Sequence, residues 1–344
     1  MNRIITVLLF VVGFQLSAFP QGPLTPPGAP APTMLTLSQV EPRTPITNTT
    51  TIIISASGSY YLTTNISVTS GVGISIIASQ VTLDLNGFTI SSTAATANAG
   101  IRLATGLSDI AILNGHITGS VTYSGGIYSG NGFSDGIDHS NPVQPFNVRV
   151  AHVSISGCVS AGINLGTNNS TVVDSCMVNT VGGYGILASS VIHSTVYQCG
   201  GTAIIADIAS DCYGYSTGGA GLVASFTANN CYGYSTGNTA DGLDANTAQN
   251  CYGASTSTNG NGNGVSAIIA NNCYGISFDG DGVSAQDANN CSGQSKFGYG
   301  LVANIAIGCY GNATEGTGIK AYIANSCDGV GLFSNVITNK YNMP

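Results

Sequence analysis

The sequence predicts an all-β fold, a single right-handed parallel β-helix (solenoid) with coils of roughly 18–23 residues. Three observations predict it: a repeat of nearly constant period, a two-residue alternation inside each repeat, and a composition poor in helix formers. The repeat begins at a Gly followed by an aliphatic residue, at Gly185, Gly221, Gly242, Gly264, Gly282, Gly300 and Gly318, with Ala203 in the one vacant slot. Successive spacings from 185 are 18, 18, 21, 22, 18, 18 and 18 residues. The two longer coils carry the insertions NTAD (238–241) and TNGNGN (258–263), which read as surface loops on a constant turn. After each Gly comes an aliphatic residue and, two further on, Ala, so both side chains point to one face of a strand. The second segment reads Ala-x-x-Cys-x-Gly-x-Ser, again with its small residues alternating toward one face. No segment repeats apolar residues at i, i+3, i+4 and i+7 over ten positions, which removes a helical solenoid. Twelve or thirteen coils at ~4.8 Å each are expected.

Composition agrees. The chain of 344 residues has 47 Gly, no Trp, 7 Lys+Arg and 15 Asp+Glu, for a net charge of −8. Nucleic acid is excluded as a partner, because phosphate binding needs clustered cations and the few Lys and Arg are scattered. Residues 1–18, MNRIITVLLFVVGFQLSA, read as a signal peptide with Arg3 ahead of an apolar stretch and Ala18 at the cleavage position. A Pro-rich linker (19–38) follows, and the β-helix fills 39–344, with irregular coils and insertions over 39–160 and regular Cys-x-Gly coils over 161–344. No later apolar run is long enough to span a bilayer, so the mature chain is expected to be exported, extracellular or periplasmic, without a membrane span.

Upstream of the regular coils, GSYYLTTNISV, GISIIASQVTLDLNGFTI, DIAILNGHITG and VRVAHVSISGC alternate as strands, with Asn-Gly turns at 86 and 114. The segment from Tyr123 to Phe146 reads as the largest excursion from the coil. GSYYLTTNI followed by VTLDLNGFTI and then by the Cys-x-Gly coils resembles the secreted bacterial right-handed parallel β-helix repeat proteins of the pectin-lyase-like superfamily, over about residues 40–344. The resemblance implies the fold and a bias toward carbohydrate as partner.

Seven cysteines, Cys212, Cys231, Cys251, Cys273, Cys291, Cys309 and Cys327, recur at one place in consecutive coils. Stacked in register their Cβ atoms stand ~4.8 Å apart, beyond the ~3.5–4.5 Å of an unstrained disulfide, so a buried thiol ladder is expected. A linear row lacks tetrahedral geometry, and no metal is assigned to it. Beside it run Asn230, Asn250, Asn272 and Asn290, a residue type that accepts left-handed backbone and pairs amide to amide between coils. After each Cys stands Tyr213, Tyr232, Tyr252, Tyr274 or Tyr310, expected to face outward. These rings either shield the sheet by stacking on each other or present a platform for sugar rings.

Catalytic signatures of the resembled superfamily are largely absent. The strings NTD, DD, GHG and RIK do not occur, and IDHS (137–140) has Gly136 where a lyase motif would have Trp. Asp135, Asp138, His139 and Arg149 are nonetheless the candidate catalytic set, because a lyase needs carboxylates about a Ca²⁺ ion and a base beside it. Asp84, read as a solvated outer residue, and His116, a turn-flanking one, are alternatives. Cofactors are otherwise not expected. Three functions follow: a secreted non-catalytic structural or surface protein that binds polysaccharide along an outer sheet, a polysaccharide lyase or glycoside hydrolase acting on acidic polysaccharide, or an adhesin or envelope-assembly protein. The oligomeric state is not legible.

Overall fold

The computed structural model describes residues 42–258, 261–333 and 335–342. The expected signal peptide (1–18) and the whole Pro-rich linker (19–38) lie outside the described residues. Residues Arg43–Pro344 form one unit, a parallel β-solenoid of about 16 turns averaging about 19 residues. Among the described residues there is no helix, and so none long and apolar enough to cross a membrane.

Each regular coil has three faces. Face I holds the repeat itself, with Ile186, Ile204, Leu222, Leu243, Val265, Val283, Leu301 and Ile319 paired rung to rung and fully buried. Face II follows after a bend and points Val191, Ala209, Ala228, Ala248, Ala270 and Ala288 into the same core. Face III carries Cys, Gly and Ser inward, as in Tyr232–Ser235 stacked on Tyr252–Ser255 and Tyr274–Ser277. Its glycines are required by a close approach. A Cβ built on Gly253, Gly275 or Gly293 would stand 2.0, 1.9 and 1.9 Å from the carbonyl oxygen of Gly264, Gly282 and Gly300 where face I begins. Faces I and III therefore touch backbone to backbone, and the narrow bore expected from the small residues is real.

The corner between faces II and III is a left-handed residue in coil after coil. Asn230, Asn250, Asn272 and Asn290 have φ of 51, 53, 52 and 50°, and the same corner is made by Asn114, His152, Ser175, His193, Asp211, Gly308, Ser326 and Asn342. Asn is preferred there because its short amide offsets the left-handed cost through local hydrogen bonds. Side chains donate down this column, Asn272 Nδ2 to Asn250 Oδ1 (3.3 Å), Asn250 Nδ2 to Asn230 Oδ1 (3.2 Å) and Asn230 Nδ2 to Asp211 Oδ1 (3.2 Å).

All ten cysteines are free and buried. Each thiol of the column donates to backbone carbonyls, for example Cys251 Sγ to Ala228 (3.3 Å) and Gln249 (3.2 Å). The column runs further down than the sequence suggested, since Ser194 takes one rung and Cys176 the rung below, its N–H donating to Ser194 Oγ at 3.2 Å. Burial pushes Cys158 and Cys199 up to about 12. Hydrogen bonding to the thiol of the coil before, with burial, does the same for Cys231 and Cys251.

Two expectations are corrected. About 16 turns replace twelve or thirteen, because short segments such as Ile52–Ile54 and Ala99–Leu103 already complete rungs. The excursion from Tyr123 to Phe146 contains a rung of its own. Asp135–His139 lies in face I between Ala99–Leu103 and Ala161–Asn164.

Candidate functional site: a tyrosine-lined groove

Outside face III, two side chains per rung point away from the core. The first file rises from Thr195 through Tyr213, Tyr232, Tyr252 and Tyr274 to Ser292 and Tyr310. The second holds Tyr197, Tyr215 and Tyr234 and then changes to Ala254, Ile276, Gln294 and Asn312. Parallel register forces like residues into contact. Ring centroids are 5.0 Å apart for Tyr213 and Tyr232 (21° between planes) and 4.5 Å for Tyr232 and Tyr252 (9°). Of the two arrangements the sequence left open, the rings stack on each other: they cover each other's faces, which leaves edges and phenolic hydroxyls to solvent. Burial, with like neighbours, pushes Tyr252 up to about 12 and raises Tyr213, so these two phenols stay protonated and can donate as well as accept.

A hairpin walls this surface. Strands Thr122–Ser124 and Ile127–Ser129 pair antiparallel around Gly125 and Gly126, whose φ of 60 and 87° suit a two-residue turn. Tyr128 lies over the glycine corner at which face III ends, where a Cβ on Gly200 would meet its ring at 3.2 Å. Its hydroxyl shares a 2.9 Å hydrogen bond with Thr217 Oγ1, and burial pushes it up to about 12. Tyr123 packs on Tyr128 at 4.6 Å. Between hairpin and sheet is a cavity of about 470 Å³ lined by Ser120, Tyr123, Ser156, Thr180 and Gln198 among others. The pattern TYS-GG-IYS was the available signal for this hairpin.

The four candidate catalytic residues are not brought together. Asp138 faces outward on face I, 3.4 Å from Arg102, and accepts from Asn164 Nδ2 at 3.3 Å. Asp135 accepts the Ala161 N–H at 3.1 Å, and burial, with Asp138 nearby, raises its carboxyl. His139 is 6% exposed, takes the register position of the fully buried Leu103, and leaves Nδ1 without a hydrogen-bond partner. Arg149 belongs to another face, where it pairs with Asp174 at 2.8 Å. Burial opposes the charge on Asp174, but hydrogen bonds from Ser175, His193 and Arg149 outweigh it and hold the carboxyl low. Asp84 is not a solvated residue: it pairs with Arg43 at 2.9 Å and accepts from the Asn86 N–H and from Asn114 Nδ2. His116 sits low in the first outer file of face III, exposed.

One acidic group went unremarked in the sequence. Asp241 and Asp281 occupy the position just before the repeat Gly, and that shared coil position was the signal. Asp241 Oδ1 accepts from the Asn263 N–H (2.6 Å), Asn263 Oδ1 from the Asp281 N–H (3.0 Å), and Asp281 Oδ1 from the Tyr299 N–H (3.0 Å). Burial, aided by Asp244 and Asp281, pushes Asp241 up to about 6, and burial raises Asp244 and Asp281 as well. Among the described residues, no group of three or more His, Cys, Asp or Glu is gathered closely enough to hold a metal ion.

No family model matches the chain, and no curated protein matches it. Among solved structures it is similar to the A-module of mannuronan C-5 epimerase AlgE6 from Azotobacter vinelandii, at 12% identity over 84% of this chain and 91% of that one, with a TM-score of 0.33. It is also similar to a polygalacturonase from Erwinia carotovora ssp. carotovora, at 11% identity over 86% and 89% of the two chains, with a TM-score of 0.27. The assignment as a parallel β-solenoid rests on the ladders themselves.

Proposed function

We propose that this protein binds an extended polysaccharide along face III, in the groove between the 122–129 hairpin and the tyrosine files. The observation that carries the proposal is the register-locked repetition of phenolic hydroxyls, whose rings step by 4.5 to 5.3 Å from coil to coil. A sugar chain is a linear array of hydroxyls with a comparable repeat, so successive coils meet successive residues of one polymer. Neutral phenols suit such a ligand because they donate and accept without burying a charge. The hairpin gives the groove a side wall and bends two further tyrosines toward it. The proposed setting is outside the cytoplasm, which the apolar leader at 1–18 supports.

Affinity electrophoresis through gels containing single polysaccharides tests this. Wild-type protein should be retarded by at least one of them, and Tyr232→Ala combined with Tyr252→Ala should abolish the retardation while circular dichroism stays unchanged. Equal retardation of both proteins in every gel would remove the reading. A second reading, hydrolysis or elimination on such a polymer, is favoured by one observation. Asp241, raised to about 6 beside Asp244 and Asp281, has the poise of a general acid near neutral pH. It predicts that release of reducing or unsaturated ends, if measured, is lost in Asp241→Asn.

A further inference from the structure

We infer that the break in the tyrosine file at Ser292 is a slot that holds one sugar ring of the bound polymer. This rests on the glycan-binding proposal and locates its anchoring subsite. Register places Tyr274, Ser292 and Tyr310 on three successive rungs of the same file. Lower in the file every rung from 213 to 274 carries a ring, and each ring is covered by the next at 5.0, 4.5 and 5.3 Å. Above Tyr274 the succession fails, because the next rung offers only a hydroxymethyl group. Tyr274 and Tyr310 thus stand two rungs apart with no ring of their own file between them. Two rungs span ~9.6 Å, and a saturated six-membered ring at ordinary carbon contact distance of ~3.5–4.0 Å from each neighbour fits that gap. The ring bordering the gap is also the one that departs from the stack. Tyr274 is tilted 48° to Tyr252, against 21° and 9° for the two pairs below.

The second file changes chemistry at the same height. Where lower rungs carry Tyr215 and Tyr234, the rungs of Ser292 and Tyr310 carry Gln294 and Asn312. With Lys296 and Thr314 they line a cavity of about 350 Å³. Lys296 is held over the rings of Phe278 and Phe297 at 4.6 and 4.5 Å and stands 4.0 Å from Glu315. A pyranose has two C–H faces and a rim of hydroxyls. Two aromatic walls meet the faces, while the Ser292 hydroxyl and the two amides, which both donate and accept, meet the rim.

The experiment titrates cellohexaose, mannohexaose and hexagalacturonate into wild type, Ser292→Ala, Ser292→Tyr and Tyr310→Ala, with thermal melting of each. Ser292→Tyr restores the missing ring and closes the slot, and should weaken the hexasaccharide bound by wild type about tenfold or more. Ser292→Ala keeps the slot open but removes the hydroxyl that meets the rim, and should weaken binding only about three- to fivefold, less than Ser292→Tyr does. Tyr310→Ala removes one wall from an exposed position and should also cost about tenfold, which supplies the test if Ser292→Tyr folds poorly. Undiminished binding by a folded Ser292→Tyr, or by Tyr310→Ala, overturns the slot and leaves the face III proposal standing. Absence of binding by wild type to all three sugars overturns both.

Discussion

The coils before residue 138 and those after 185 solve the same packing problem with different chemistry. Early coils fill the interior with bulk. Leu62, Ile66, Ile74, Ile76, Leu83, Leu85, Ile101, Leu103 and Ile117, with Phe133, are all fully buried, so that several large side chains share each early coil. From residue 204 onward each coil buries one large aliphatic residue on face I and fills the rest mainly with Ala, Cys, Gly and Ser, whereas the coil before it still points Val191 and Val196 inward. Hydrophobic transfer per coil is smaller there, and what replaces it is close backbone approach and satisfied polar groups. Ser277 and Ser295, both buried, donate to the carbonyls of Gly262 and Gly280 at 2.7 Å. A wide bore tolerates irregular loops because bulk can adjust; a collapsed one demands the same small residue at the same place every time. The contrast explains why the repeat is visible only in the second half.

The sharpest way to break this comparison is a pair of substitutions. Gly275→Ala would put its Cβ 1.9 Å from the Gly282 carbonyl oxygen and should cost more than about 4 kcal/mol in urea unfolding, as severe overpacking against backbone does. Leu83→Ala leaves a cavity in the wide part and should cost about 3 kcal/mol. A reversed order would mean that the late coils are not limited by contact between faces.

A smaller effect concerns charge in the narrow part. The folded state raises Asp241 from 3.8 to about 6, so between these values the native protein holds more protons than the unfolded chain. Stability should therefore be greatest below about pH 4, fall as pH rises toward 6, and level off above. Asp241→Asn should remove this carboxyl's share of the slope, leaving what Asp244 and Asp281 contribute, and add up to about 2 kcal/mol at pH 7, read from pH-dependent unfolding. A wild-type curve flat between pH 4 and 6 would show that this carboxylate is better solvated than its position implies.

The smallest effect is a matter of rate. Buried thiols raised to about 11 or 12 are almost never thiolates, so a disulfide reagent at pH 8 should leave Cys251, Cys273 and Cys291 unmodified for hours and react with all ten after denaturation. Cys212 is the informative member of the column. Its hydrogen bond with Cys231 lowers it in spite of burial, so it should be the first in the column to label. Uniform labelling would mean that the column opens as a unit.

Much of the fold was legible in the sequence where one residue type meets one demand. The Gly of face III, the Ala of face II and the Cys column each recur because only a small side chain fits. The corner residue was legible only where it is Asn. His152, Ser175, His193 and Asp211 meet the same backbone requirement with other side chains, so identity gave no hint of their common role. Asp135–His139 was hidden because its rung is flanked by Gly-rich and Pro-containing segments that mask the alternation. The groove was half legible: the tyrosine file followed from alternation, whereas the contribution of a hairpin some eighty residues away depends on how coils of unequal length stack. Candidate catalytic residues chosen for adjacency in sequence parted because Asp138 and His139, one position apart, point to opposite sides of a strand.

The left-handed corner carries a last consequence. Since each coil leaves that corner in the same direction as the coil before, whole turns are interchangeable units of length. Excising residues 252–273 would join Cys251 to Tyr274 and recreate the tripeptide Cys-Tyr-Gly at the seam, with the remaining corners still seated on one another. The molecule is in this sense a ruler with removable graduations, whose length can be set by duplication or loss of single turns without redesign of its cross-section.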